Sequence, residues 1–221
     1  MSRVLPILFN TEMVRAILDG RKTCTRRICK DANECTMPDM EFYNADKRTY
    51  AVHNFADKAH TEQLSTGERT CPICPGDILY VRETVYQKVG HYLDVDGETK
   101  AVWCNEFKYA VTDEKPETGW NYSWVKRPSI HMPKEAARIW LKVTDVRVER
   151  LQDITIEGIR EEGLEPRFNV KDKFSDGIAR GRFLELWNST IKKSDLDHYG
   201  WNANPYVFVI EFERCEKPEG V

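Results

Sequence analysis

Short β-prone runs recur along the whole chain, and the purest of them, Tyr206-Val207-Phe208-Val209-Ile210-Glu211-Phe212, is β-branched or aromatic at every position but Glu211. That composition suits a central strand, because such side chains pack well on both faces of a pleated surface. Residues 138–148 alternate, with Ile139, Leu141 and Val143 on one face and Trp140, Lys142 and Thr144 on the other. Residues 78–83 follow the tight-turn signal Pro75-Gly76-Asp77 and read as a buried strand, and residues 4–9 form a shorter run. Helical spacing marks residues 13–18, capped by Asn10 or Thr11 and ended by Gly20, then 155–162 before Gly163, then 178–191 through Phe183, Leu184, Trp187 and Ile191. Strands therefore dominate the core and helices lie at its edge, which predicts an α+β chain built as a small barrel with helices against its openings.

A chain of 221 residues is long enough to bury a core without disulfide staples, and one domain with insertions is expected over 1–221. No apolar run approaches the roughly 20 residues that span a bilayer, and the apolar start at residues 4–9 is too short for a secretory signal, so no membrane partner and a cytoplasmic location are expected. The net charge of -3 excludes a protein that coats nucleic acid by bulk electrostatics. Any nucleic-acid contact is expected to be small and site-like. The seven cysteines are an odd set that does not form a disulfide framework and suits a reducing compartment.

Charge is concentrated in one place. Arg21, Lys22, Arg26 and Arg27 crowd the octet Gly20-Arg21-Lys22-Thr23-Cys24-Thr25-Arg26-Arg27 with no acid among them. The octet reads as a turn leading into a loop, and its self-repulsion is relieved if an anionic or polar ligand sits there; the alternative is a plain basic surface loop after a helix end. Two polar stretches, at about 29–70 and 86–125, lack sustained periodicity and read as irregular insertions, with a hairpin as an option in the first. In the second, Trp103, Trp120 and Trp124 are candidate packing anchors, and Trp124 and Tyr80 are also weighed as stacking faces for a base. Cys71-Pro72-Ile73-Cys74 has the spacing of a zinc half-site that Cys29 and Cys35 could complete, but the spacing of that second pair is too wide, so free thiols and no metal are expected. Between Pro128 and Pro133, the loop places Ser129 and His131 near Arg138, three groups suited to a polar ligand.

Several of these segments carry a family resemblance. Ile7-Leu8-Phe9-Asn10, the helix around Met13-Val14-Arg15-Ala16-Ile17-Leu18 and the Gly-Arg-Lys-Thr-x-Thr-x-Arg octet resemble the ASCH domain family, of PUA-like barrels. Pro75-Gly76-Asp77-Ile78-Leu79-Tyr80-Val81-Arg82-Glu83, the Arg127 to Pro133 segment and Asn204 to Phe212 resemble its larger members, often carried by phages and prophages. The resemblance covers the barrel parts and leaves both insertions uncovered. It implies a PUA-like β-barrel with peripheral helices and a cleft suited to a nucleoside or RNA ligand. In the small bacterial members that cleft hydrolyses the acetyl amide of N(4)-acetylcytidine without a cofactor, and their functional Lys, Thr and Glu fall here on Lys22, Thr25 and Glu162, with Glu161 as the alternative to the last.

Amide hydrolysis needs a nucleophile, a base for its proton and a donor for the leaving amine. Thr25 offers the hydroxyl. Lys22, crowded by Arg21, Arg26 and Arg27, is expected to have a lowered pKa and to act as the base, and Glu162 in a desolvated cleft to hold a proton for the amine. Arg21, Arg26, Arg27, Ser129, His131 and Arg138 are the expected substrate-binding set. Three readings follow: an amidohydrolase acting on an acylated cytosine, a non-catalytic module that binds RNA or a modified nucleotide, and a phage protein that binds a host factor.

Overall fold

The computed structural model describes residues 2–34, 37–43, 49–56, 63–164 and 173–220. The chain begins with β1 (Val4–Leu8) and α1 (Thr11–Leu18), continues through β2 (Cys24–Ile28) and α2 (Lys30–Asn33), and then enters β3 (Met37–Tyr43), β4 (Thr49–Phe55) and β5 (Gln63–Thr70). After these come β6 (Ile78–Arg82), β7 (Val85–Leu93), β8 (Thr99–Tyr109), β9 (Tyr122–Arg127) and β10 (Trp140–Arg150). The last elements are α3 (Ile156–Glu161), α4 (Lys173–Thr190), α5 (Leu196–Tyr199) and β11 (Tyr206–Cys215). Two compact units result: one of Met1–Asp19, Ile78–Leu141 and Arg214–Val221, the other of Gly20–Asp77 and Lys142–Glu213.

In the first unit β1 runs parallel to β6, with Leu5 opposite Leu79 and Ile7 opposite Val81. Asn10 caps α1 by accepting from the Met13 N–H at 2.9 Å, and the helix buries Met13, Val14, Ala16 and Ile17. Next to this pair, β7 is the middle strand of an antiparallel sheet ordered β8-β7-β9. Val85 from that sheet forms a small core with Met132 and Ala136, against which Phe107 and Tyr109 pack.

In the second unit β11 pairs antiparallel with β2, Ile210 lying opposite Thr25 and Val209 opposite Arg26. Leu151, Ile154, Ile159, Ala179, Phe183, Trp187 and Val207 form one hydrophobic cluster, so α3 and α4 bury their apolar sides on the start of β11. The antiparallel sheet β3-β4-β5 completes the unit. Asn33 ties α2 to β11: its Nδ2 donates to the Cys29 and Tyr206 carbonyls at 2.7 and 2.9 Å, and its Oδ1 accepts from the Tyr206 N–H at 2.8 Å. Asn33→Ala takes the acceptor from the Tyr206 N–H, while the Cys29 and Tyr206 carbonyls keep the N–H groups of residues 33 and 29, and is expected to lower stability by about 1 to 2 kcal/mol. A shift of the urea midpoint with an unchanged m-value checks this.

The α+β class and the four expected strands are present. The expected barrel is not: the strands lie in open sheets, and none closes among the described residues. Nor are the two insertions irregular, since each contains a three-stranded antiparallel sheet, β3-β4-β5 and β8-β7-β9. No helix among the described residues is long and apolar enough to cross a membrane.

Candidate functional site

The basic octet is a turn, Gly20 to Thr23, that leads into a buried strand rather than into a loop. After Gly20, which takes a φ of 74°, the chain passes through Lys22 and enters β2. Alternation along β2 sends Cys24 and Arg26 to one face and Thr25 and Arg27 to the other. Lys22, Cys24 and Arg26 gather at the C-terminal end of α3, where Glu162 is the C-cap and Gly163 turns the chain with a φ of 89°. A backbone bridge between Lys22 and Glu162, together with the Thr23 N–H donating to the Glu161 carbonyl at 2.8 Å, fixes strand against helix.

Lys22 is 3% exposed and its Nζ donates to Glu162 Oε2 at 2.6 Å, to the Glu162 carbonyl at 3.0 Å and to the Cys24 carbonyl at 2.7 Å. Glu162 is 5% exposed, and its second oxygen accepts from Arg26 Nη1 at 3.3 Å. Arg26 also clasps Glu149 through Nε and Nη2 at 2.9 and 2.8 Å. Its guanidinium lies against Gly158 of α3, where a Cβ would stand 3.1 Å from Nη2, so a larger residue there requires the guanidinium to give by a few tenths of an ångström. Glu161 is exposed and contributes its backbone carbonyl, so the acid brought to Lys22 is Glu162.

Burial pushes the Glu162 carboxyl up, but Lys22 and then Arg26 pull it down further, and the net shift is below the ordinary carboxylate value. Glu162 is therefore an ionised carboxylate at neutral pH, which corrects the expectation that it holds a proton. The Lys22 pKa is lowered, as expected, but the main cause is burial, opposed by Glu162, with Arg27 a smaller repulsive contribution. Burial and then Glu162 push the Cys24 thiol up to about 12, so it stays protonated and is no nucleophile.

Thr25 is 1% exposed, and its Oγ1 accepts from Arg27 Nη1 at 2.7 Å. Among the described residues no hydrogen bond joins that hydroxyl to Lys22 or Glu162. Arg21 Nη1 donates to the Gly163 carbonyl at 2.8 Å, so it helps to end α3. The self-repulsion of the octet is answered inside by Glu149 and Glu162, between which Arg26 is buried.

Ser129, His131 and Arg138 belong to the other unit. Ser129–His131 is a single 3-10 turn in which the His131 N–H donates to the Pro128 carbonyl at 2.8 Å. Arg138 forks onto the buried Glu83 at 2.8 and 3.0 Å, and its guanidinium lies 3.8 Å from the Tyr109 ring centre. Among the described residues no hydrogen bond or ion pair joins Arg138 to Ser129 or His131. Arg138 instead neutralises a buried acid that sequence reading passed over.

Compared with family models, curated proteins and solved structures, the chain matches none. The site therefore rests on its own geometry. Sequence reading missed Glu149, Cys24 and Gly158; Glu149 could have been found as an acid on a strand otherwise built to face a core. Cys71 and Cys74 are buried thiols, Cys35 lies outside the described residues, and no cluster of three metal-ligating side chains occurs among the described residues.

Proposed function

We propose that the unit of Gly20–Asp77 and Lys142–Glu213 carries an amidohydrolase site that removes an acyl group from the exocyclic amine of a cytosine nucleoside such as N(4)-acetylcytidine. The observation that supports this most strongly is the buried 2.6 Å pair of Lys22 and Glu162 beside the strand that carries Thr25. A buried ion pair of this kind keeps an ammonium donor and a carboxylate acceptor side by side. Roles follow from the charge states and reverse the simplest assignment. Thr25 Oγ1, which already accepts from Arg27 and lies on the face of β2 opposite Lys22 and Glu162, attacks the acyl carbon, and its proton passes to and from the Glu162 carboxylate through water. Lys22 gives a proton to the cytosine amine as the C–N bond breaks, leaving an acyl ester on Thr25. Water then adds to the ester and passes a proton to the neutral Lys22 amine, while the departing Thr25 oxygen recovers its proton from Glu162. Each group ends as it began, and the products are the free nucleoside and the carboxylic acid.

One observation favours a second reading. All three hydrogen-bonding positions of the Lys22 ammonium are engaged by acceptors of the fold, which suits a structural clamp beneath a surface that binds a modified nucleotide or RNA without chemistry. Incubation with acylated and unmodified nucleosides, followed by chromatography, separates the two. The amidohydrolase releases cytidine from the acylated substrate in step with acid, whereas the clamp leaves every nucleoside intact.

A further inference from the structure

The sheet β8-β7-β9 has two unlike faces. Val85, Gln87 and Val89 of β7 are buried on one of them, where Val85 meets Met132 and Ala136. The register gives the composition of the other: Tyr86 stands between Lys108 and Lys126, Lys88 beside Trp124, and Gly90 beside Tyr122. Lys108 and Lys126 are exposed, and the three aromatic rings are only half-buried. Cations lie over the rings, Lys88 Nζ 5.2 Å from the Tyr122 centre and Lys108 Nζ 5.7 Å from that of Trp124. Glu106 pairs with Lys88 at 2.9 Å, which leaves Lys108 and Lys126 as the exposed cations beside Tyr86. The sequence reading of Trp103 and Trp120 as packing anchors is corrected here too, since they are 50% and 95% exposed.

Residues Tyr122 and Trp124, two apart on one strand, carry their rings on the same face at a separation of about 7 Å, a span that one nucleotide of an extended single strand covers. Rings that stack on bases, interleaved with lysines that meet phosphates, make a surface complementary to a strand whose bases are unpaired; a duplex hides the same base planes within its own stack. We infer that the Tyr86, Tyr122 and Trp124 face of the β8-β7-β9 sheet is a docking platform for single-stranded nucleic acid, with Lys108 and Lys126 as the groups that meet its phosphates. This inference does not depend on the hydrolase reading, because it concerns other residues in the other unit of the chain.

The test is fluorescence anisotropy of a labelled oligouridylate titrated with the full chain across a series of salt concentrations. The platform predicts binding that Trp124→Ala weakens about tenfold or more and that Trp124→Phe largely retains, since phenylalanine keeps a stacking ring. Lys108→Glu combined with Lys126→Glu, both at exposed positions, should weaken binding and flatten the dependence of log Kd on log salt by roughly 0.7 for each phosphate that is no longer neutralised. Binding a labelled duplex as tightly as the single strand, affinity unchanged in the double lysine variant, or no binding by the wild-type chain would each overturn the inference. The last of these is also the result expected if the face serves a protein partner.

Discussion

Lys22→Met is expected to lower the unfolding free energy by about 3 to 5 kcal/mol, because it leaves the Glu162 carboxylate buried with Arg26 at 3.3 Å as its remaining close cation. In a chain of this length that is a fall in Tm of roughly 6 to 20 °C. The cause is the stranded charge rather than lost packing, since the methionine fills much of the same space. Lys22→Met combined with Glu162→Met should therefore be more stable than Lys22→Met alone, because Arg26 still has Glu149. The pH dependence follows from the same pair. A carboxyl whose folded pKa is depressed contributes stability above its unfolded value of 4.5, and that contribution is lost as the pH falls through the folded value. Thermal melts of the wild type should accordingly lose Tm steeply below about pH 4.5, and those of Glu162→Gln less steeply. Equal acid limbs would mean that Glu162 is not the ionised partner of Lys22.

The second large effect is on turnover. Thr25→Ala, Lys22→Ala and Glu162→Gln should each reduce deacylation of N(4)-acetylcytidine by at least roughly a thousandfold, and the Lys22/Thr25 double variant should fall to the same residual rate as either single one. Nucleophile, donor and acceptor act as a unit, so losses within the set do not add. The pH profile should decline on the alkaline side at a pH below 10.5, because burial lowers the Lys22 pKa from that ordinary value. Rates from single-turnover assays check both points. Losses that multiply in the double variant would show that Lys22 and Thr25 act independently and not as one catalytic unit.

Much of the fold could be read along the chain because period and shape agreed there. Tyr206 to Phe212 and residues 78–83 carry β-branched runs bounded by proline turns, and both became strands. The insertion strands were hidden for a physical reason. In β7 the buried positions are Val85, Gln87 and Val89 while the opposite face holds Tyr86, Lys88 and Gly90, so neither face is uniformly apolar or polar and the alternation does not stand out. The octet misled in another way. A run of cations without a local acid looks like a solvated loop, and the acids that bury it, Glu149 and Glu162, lie more than 120 residues downstream. Lys22 and Glu162 were nonetheless named together from the resemblance, and they meet at 2.6 Å.

The central claim is that Thr25, beside the Lys22 and Glu162 pair, breaks an acyl amide on cytosine. Its most direct measurement compares wild type and Thr25→Ala on N(4)-acetylcytidine, following cytidine and acetate by chromatography after confirming that the two proteins melt alike. The account predicts cytidine and acetate in equal amounts from the wild type and neither above background from Thr25→Ala. Wild-type protein that binds the nucleoside and leaves it intact would contradict the account.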